Sequence, residues 1–228
     1  MIKAILFDLD NTLIDFWKMK KKSCEAAIDA MISAGLKMER KKAIEMLFSL
    51  YKEVGIENQK IFEKFLKKSS GKVNYKILAH GIIAYRRMKV TYIYPYPKTI
   101  PTLLELKKKY KLAIISDAPR INAWMRIVEL GIDDFFDVII TAADVRKQKN
   151  NAAPFNAALK ELKVKPEEAI MVGDRIKRDI ITAKNLGIHT CYARYGRYAE
   201  EKPALRGKSG ADFEIDEIGE LIGVVGRM

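Results

Sequence analysis

Two cysteines and two histidines are all that the 228 residues offer of the usual soft metal ligands. Cys24 and Cys191 lie far apart and outside any metal-ligand spacing, so neither a disulfide framework nor a cysteine-based zinc site is expected; both read as reduced, packed thiols. His80 and His189 have no partner at motif spacing and read as structural. No apolar run reaches membrane-spanning length, so membrane partners are not expected. The N-terminus lacks a basic region followed by an apolar stretch and a small-residue cleavage site, and the expectation is a cytoplasmic protein. There is no internal repeat and no low-complexity tract.

Acidic residues are the scarcer charge, 29 against 42 Lys and Arg, for a formal net charge of +13. An excess of this size raises nucleic-acid binding as a reading. The basic residues are scattered, however, from Lys18 to Lys22, Lys37 to Lys42, Arg86 to Lys89 and Lys107 to Lys109 among others, many alternating with apolar residues at helical spacing. No zinc-finger spacing and no RNA-binding aromatic signature accompanies them. A lysine-rich solvated surface is the expectation, and its positive field attracts phosphorylated substrates.

What is present is an apolar run that ends in acid: Ile5-Leu6-Phe7-Asp8-Leu9-Asp10-Asn11-Thr12-Leu13. Two carboxylates at the tip of a buried strand are costly unless a cation or a proton waits there. From about Phe16 to Val90 the pattern turns helical. Apolar residues recur at three- and four-residue steps over Ser23–Ile32, Ala43–Val54, Gln59–Leu66 and Asn74–Met88, the first three segments closed by Gly35, Gly55 and Gly71. Four such helices without strands between them predict a small bundle. Tyr94-Pro95-Tyr96-Pro97 is a stiff connector.

Beyond it strands and helices alternate. Strands are expected at 112–115, 138–140, 169–172, 188–192 and 213–215, with helices at 99–110, 121–130, 154–162, 176–186 and from Asp216. The alternation predicts parallel βαβ units in a sheet covered on both faces. Its hydrophobic content, 49% of the chain, suffices for one α/β core, residues 1–15 and 96–228, with a helical insertion, residues 16–95. The polar stretch from Gly196 to Gly210 reads as an irregular surface loop.

Ligands of such sheets bind beyond the carboxyl ends of the strands. Those ends carry Asp8 and Asp10, then Ser116 and Asp117, then a loop with Lys147 and Lys149, then Gly173 and Asp174 with Asp179 five residues on. Scattered in sequence, they are placed to converge on one crevice.

Taken in order, these motifs resemble those of the haloacid dehalogenase (HAD) superfamily of phosphatases and related enzymes. Asp8-Leu9-Asp10-Asn11-Thr12-Leu13 matches its first motif, Ile114-Ile115-Ser116-Asp117 its second, and Gly173-Asp174 through Asp179 its acidic fourth. The resemblance covers essentially the whole chain. It implies a Rossmann-like core with a small all-helical cap inserted after the first motif, which closes over the site and reads the substrate. Trp17, Tyr51 and Tyr85 either line that pocket or form bundle core.

The resemblance also implies roles. Asp8 is similar to the nucleophile that forms an aspartyl phosphate. Asp10 is similar to the acid that protonates the leaving alcohol and then activates water. Asp8, the Asp10 carbonyl and Asp174 would hold Mg2+, with Gly173 leaving room beside them and Asp179 supporting the metal or pairing with Arg178 or a lysine. Ser116, with Asn11, Asp117 and neighbouring amides, would bind phosphate. The family's Lys-Pro-x-Pro-x-x-Phe is here Lys149-Asn150-Asn151-Ala152-Ala153-Pro154-Phe155. The Lys-to-Phe spacing selects Lys149, with Lys147 as the substitute, and loss of both prolines predicts a looser loop.

The implied function is a Mg2+-dependent phosphatase of a small phosphorylated metabolite. A 2-haloacid dehalogenase is disfavoured, because halide leaves without protonation and Asp10 would have nothing to protonate. A phosphomutase shares the whole apparatus, and a non-catalytic binding protein on this scaffold is the reading from outside enzymology. A homodimer suits a chain of this size, though no seam is legible.

Overall fold

A computed structural model of the chain describes residues 1–196 and 209–228. The greater part of the expected surface loop between Gly196 and Gly210 therefore lies outside the described residues. The chain divides into two compact units, one of residues 1–16 and 94–228 and one of residues 17–93.

The first unit is built on a six-stranded, all-parallel sheet: β1 (Ala4–Phe7), β2 (Lys111–Ser116), β3 (Val138–Thr141), β4 (Ala169–Gly173), β5 (His189–Ala193) and β6 (Phe213–Ile215), in the spatial order β3-β2-β1-β4-β5-β6. Residues of β1, β2 and β4 are buried on both faces, as their continuous apolar runs require. On one face Leu6, Ala113, Ile115 and Met171 pack with Phe155, Leu159 and Leu162 of a helix over Ala153–Leu162. β1 is central because its register leaves Phe7 level with Ile114 on one side and Val172 on the other. The chain therefore leaves three neighbouring strands at one edge, and the order reverses there, with β2 on one flank of β1 and β4 on the other.

The second unit is helical: α1 (Phe16–Ser33, its first residue contributed by the other unit), α2 (Arg40–Val54), α3 (Ile61–Ser70) and α4 (Tyr75–Tyr92). Its core gathers Ile28, Met31, Leu47, Phe65 and Leu78. Glu39 and Asn74 cap α2 and α4 by accepting from N–H groups of the first turn. Tyr51 is buried in this core, the Trp17 ring meets Phe48 at a tilt of 55°, and the Tyr85 hydroxyl accepts from the ammonium of buried Lys20, which also lies over the Tyr51 ring. Tyr51 thus belongs to the core of the helical unit, and Tyr85 packs partly buried against it.

The remaining elements are α5 (Thr99–Lys107), α6 (Arg120–Glu129), α7 (Ala142–Val145), α8 (Ala153–Leu162), α9 (Ile181–Asn185) and α10 (Leu221–Val225). Three differ from the sequence expectation. α7 falls where only a loop was expected; Thr141 and Asp144 cap it reciprocally, a local signal with no apolar periodicity behind it. The helix expected over 176–186 opens with a wide turn at Ile176–Ile180, where the Ile181 N–H reaches back to the Ile176 carbonyl, and only then becomes α9. The last helix starts not at Asp216 but at Leu221, after a tight turn at Ile218–Glu220. Both cysteines are free and buried, and burial raises their thiols, to about 11 for Cys24 and about 12 for Cys191, so neither is a ready nucleophile.

Candidate active site

β1 ends at Phe7, and the Asp8 N–H still donates to the Val172 carbonyl, so Asp8 is held at the mouth of the sheet. The chain then turns tightly. Asn11 takes a positive φ of 65°, its N–H donates to the Ile14 carbonyl at 2.7 Å, and the Leu13 N–H returns to Leu9. Asn tolerates this backbone better than most residues. The Asn11 N–H is thereby spent inside the turn, so any contact of Asn11 with phosphate is not made by its backbone donor.

Asp8 is 5% exposed, and its carboxylate is gripped from two sides. The Lys149 ammonium pairs with Oδ1, and the Thr12 hydroxyl donates to Oδ2 at 3.2 Å. Lys149, 2% exposed, also pairs with Asp179 Oδ1 at 2.7 Å, while Lys147 is exposed. Asp179 reaches the lysine because the wide turn at 176–180 swings its side chain inward; its Oδ2 accepts from the Arg175 N–H at 2.9 Å. Asp179 does not pair with Arg178, which bonds Asp117 instead.

Asp117 joins two parts of the site. Its Oδ1 accepts from the Lys149 N–H at 2.8 Å and its Oδ2 from Arg178 Nη1 at 2.9 Å. The Ser116 hydroxyl, buried at the tip of β2, accepts from the Ala118 N–H at 3.1 Å and stabilises its own turn rather than capping α6. Asp10 is ion-paired with Arg126 of α6 at 2.6 Å.

Asp174 is 1% exposed, and neither carboxylate oxygen has a hydrogen-bond partner among the described residues. It does not cap the turn that follows it. Oxygens of Asp8, Asp174 and Asp179 lie within 4.8 Å of one another. Three buried carboxylates against the one ammonium of Lys149 leave two negative charges uncompensated. Burial, with Asp179 adding to it, pushes Asp8 up to about 6 although Lys149 pulls the other way; burial, then Asp8 and Asp179, push Asp174 well above the usual carboxylate range. Lys149 stays charged: burial opposes the charge, but Asp179 and Asp8 more than offset it. An all-oxygen donor set with two excess negative charges, in which both oxygens of Asp174 lack a hydrogen-bond partner, fits a hard divalent cation.

Two glycines make room for this arrangement. A Cβ on Gly173 would lie 2.4 Å from Asp179 Oδ2, and one on Gly196 would lie 1.5 Å from the Asn11 carbonyl oxygen. Beside Gly196, the Tyr195 hydroxyl donates to the Thr12 carbonyl at 2.9 Å.

The structure thus brings Asp8, Lys149, Asp174 and Asp179 into one cluster, with Asp117 tied to Lys149. Thr12, Arg126 and Tyr195 were not singled out from sequence, and Arg178 was expected beside Asp179 rather than on Asp117. Of the first three, only Arg126 left a legible mark in the sequence: it shares the buried stripe of α6 with Ala123 and Ile127, where a charge is out of place.

A profile of the haloacid dehalogenase-like hydrolases matches residues 5–193. The chain is 40% identical over 227 residues to a glyceraldehyde 3-phosphate phosphatase of Pyrococcus furiosus, covering 99% of this chain and 94% of the relative. It is 37% identical over 226 residues to another of that name from Methanocaldococcus jannaschii, covering 99% and 97%. Among solved structures, a HAD phosphatase from Thermococcus onnurineus superposes with a TM-score of 0.69 at 28% identity, over 99% of this chain and 98% of that one.

Proposed function

The chain belongs to the haloacid dehalogenase-like hydrolase family and is a phosphatase of small phosphomonoesters, and from that premise we propose that its substrate is glyceraldehyde 3-phosphate, cleaved through an Asp8 phosphoenzyme with Mg2+ as cofactor. The substrate is the one named for relatives 40% and 37% identical along nearly the whole chain. The observation that carries the site assignment is Asp8 itself, a buried carboxylate at a strand tip held by Lys149 and Thr12 beside an orphaned Asp174.

The steps follow from the side chains. An Asp8 oxygen attacks phosphorus, and the bond to the substrate oxygen breaks as Asp10 gives that oxygen a proton. Water then attacks the phosphorus of the acyl phosphate, Asp10 takes the water's proton, and inorganic phosphate leaves with the Asp8 carboxylate restored. Lys149 fixes Oδ1 of Asp8, and its charge offsets that of the incoming phosphoryl oxygens. Ser116, at the tip of the neighbouring strand, accepts from the Ala118 N–H and keeps its own hydroxyl proton, which it would donate to the phosphoryl group. Asp8 and Asp174, with the Asp10 carbonyl, would hold Mg2+; when bound, it neutralises charge between carboxylate and phosphate. Asp179 serves Lys149, and the helical unit is assigned as the family's cap domain.

Phosphate release should be measured from glyceraldehyde 3-phosphate, glycerol 3-phosphate, phosphoglycolate and 4-nitrophenyl phosphate, each with Mg2+ and with EDTA. The expected result is the highest kcat/KM on glyceraldehyde 3-phosphate and silence under EDTA. A clearly better substrate in the panel removes the substrate proposal, and chelator-resistant turnover removes the metal.

A further inference from the structure

Arg126 is the largest fully buried side chain among the described residues, 1% exposed, in a helix whose other inward residues are apolar. Taking a guanidinium out of water costs several kcal/mol unless a carboxylate and further packing offset it. Both are present. Nη1 of Arg126 lies 2.6 Å from Asp10 Oδ2, and its guanidinium carbon lies 4.4 Å from the centre of the Phe16 ring. Phe16, itself 5% exposed, belongs to the same short turn region that carries Asp10. Its N–H donates to Ile14, and Ile14 bridges back to Asp10. Ala123 and Ile127, wholly buried on either side of Arg126, fix the helix that delivers it. The guanidinium is therefore held by the carboxylate and the Phe16 ring together, and Asp10, whose side chain is 22% exposed, is the less buried member of the pair.

We propose that Arg126 is a positioning residue for proton transfer, holding the Asp10 carboxylate by Oδ2 and so fixing its orientation toward the leaving-group oxygen. The inference rests on the assignment of Asp10 as the proton-transfer group. An arginine suits this role because its planar fork is charged at any working pH and lies flat on an aromatic ring, which a lysine cannot do. A carboxylate misplaced by about 1 Å can cost about 100-fold in rate.

The test uses leaving groups that differ in their need for a proton. kcat/KM reports the steps up to the phosphoenzyme. Glycerol 3-phosphate releases a poor alkoxide and needs the acid; 4-nitrophenyl phosphate releases a stable phenolate and does not. Arg126→Met should lower kcat/KM on glycerol 3-phosphate about 10- to 100-fold with KM little changed, and leave kcat/KM on 4-nitrophenyl phosphate within about threefold. With the aryl ester, kcat and KM should fall together, because the phosphoenzyme accumulates when its hydrolysis also depends on Asp10. Arg126→Lys keeps the charge and should recover part of the glycerol 3-phosphate loss. It decides the matter alone if Arg126→Met does not fold, by showing a smaller but still leaving-group-selective loss.

Equal losses on both esters, no loss, or a gain in rate would overturn the proposal. Asp10→Asn, measured in parallel, separates the two levels. If it is selective for the alkyl ester and the Arg126 variants are not, only the role of Arg126 falls. If it shows no selectivity, the assignment of Asp10 falls and takes this one with it.

Discussion

The Asp117 carboxylate accepts the Lys149 backbone N–H at 2.8 Å, joining the tip of β2 to the loop after α7 across 32 residues of sequence. That loop lacks the two prolines that customarily stiffen it, and the carboxylate supplies a restraint of another kind. Arg178 holds Asp117 in turn, and the next residue, Asp179, holds the Lys149 ammonium. One segment therefore secures both the backbone and the charge of the lysine.

Asp117→Ala frees the Lys149 N–H and should lower kcat by about tenfold, in line with the loss of a group that orients a catalytic one. Asp117→Asn keeps a carbonyl acceptor for the N–H and should lose less. Steady-state kinetics on 4-nitrophenyl phosphate measures both. Equal and full activity in the two variants would show that the loop is held without the carboxylate.

Lys149→Ala should cost about 100- to 1000-fold in kcat, the range for removing a main electrostatic stabiliser. It also strands Asp8 and Asp179 in the interior, and a broken buried pair typically costs about 3–5 kcal/mol of stability. The melting temperature should therefore drop in the absence of Mg2+ and partly recover when the ion is added. Lys147→Ala, on an exposed side chain, should change neither. A larger loss from Lys147→Ala would reverse the assignment.

The strand tips were legible because an apolar run broken by acid or hydroxyl is a local pattern: Asp8, Ser116 and Asp174 all follow continuous buried strands. The parallel sheet was legible for the same reason, from strands alternating with helices. What was not legible depends on geometry between segments. Asp179 was expected one turn into a helix, and only the wide turn at 176–180 shows why it meets Lys149. Arg126 meets Asp10 across 116 residues, and no spacing rule connects them. Sequence leaves Asp174 free to cap the following helix while also binding a metal; only in space do its two unpartnered oxygens show that it makes no cap.

Acidity should stabilise the metal-free protein. Asp8 is raised to about 6 in the folded chain against 3.8 as its ordinary value, and Asp174 is raised in the same direction. The folded state then binds more protons than the unfolded state between these values, so stability rises as pH falls through about 6 and is lost again as pH climbs above it. Asp8 alone contributes about 1 kcal/mol between pH 7.5 and pH 5. Asp137 and Asp212 are held low by Lys107 and Lys184 against their burial; their contributions are lost only below the ordinary carboxylate value. Melting curves at pH 7.5 and 5 with EDTA should show the higher melting temperature at pH 5. Saturating Mg2+ should remove or invert the difference, because its ligands bind as carboxylates. A metal-free melting temperature that only falls on acidification would contradict the charge excess assigned to the cluster.

Three glycine-to-alanine changes separate close approach from backbone preference. At Gly223 in α10 a Cβ meets nothing within 4 Å, so Gly223→Ala should stabilise by about 0.5–1 kcal/mol through helix propensity. At Gly173 a Cβ falls 2.4–2.5 Å from the Asp179 side chain, which must retreat from Lys149. Gly173→Ala should cost about 1–3 kcal/mol, as overpacking does, and lower kcat because the lysine loses its second carboxylate. At Gly196 the obstacle is the Asn11 carbonyl, 1.5 Å away, and main chain yields less readily than a side chain. Gly196→Ala must displace the turn that carries Asp10 and Thr12, so it should cost more stability than Gly173→Ala. Its activity loss should also be larger on glycerol 3-phosphate than on 4-nitrophenyl phosphate, since Asp10 moves with the turn. Thermal melts and the two kcat/KM values test the ranking, and a Gly196→Ala protein as stable and active as Gly223→Ala would show that the turn is not held where Gly196 touches it.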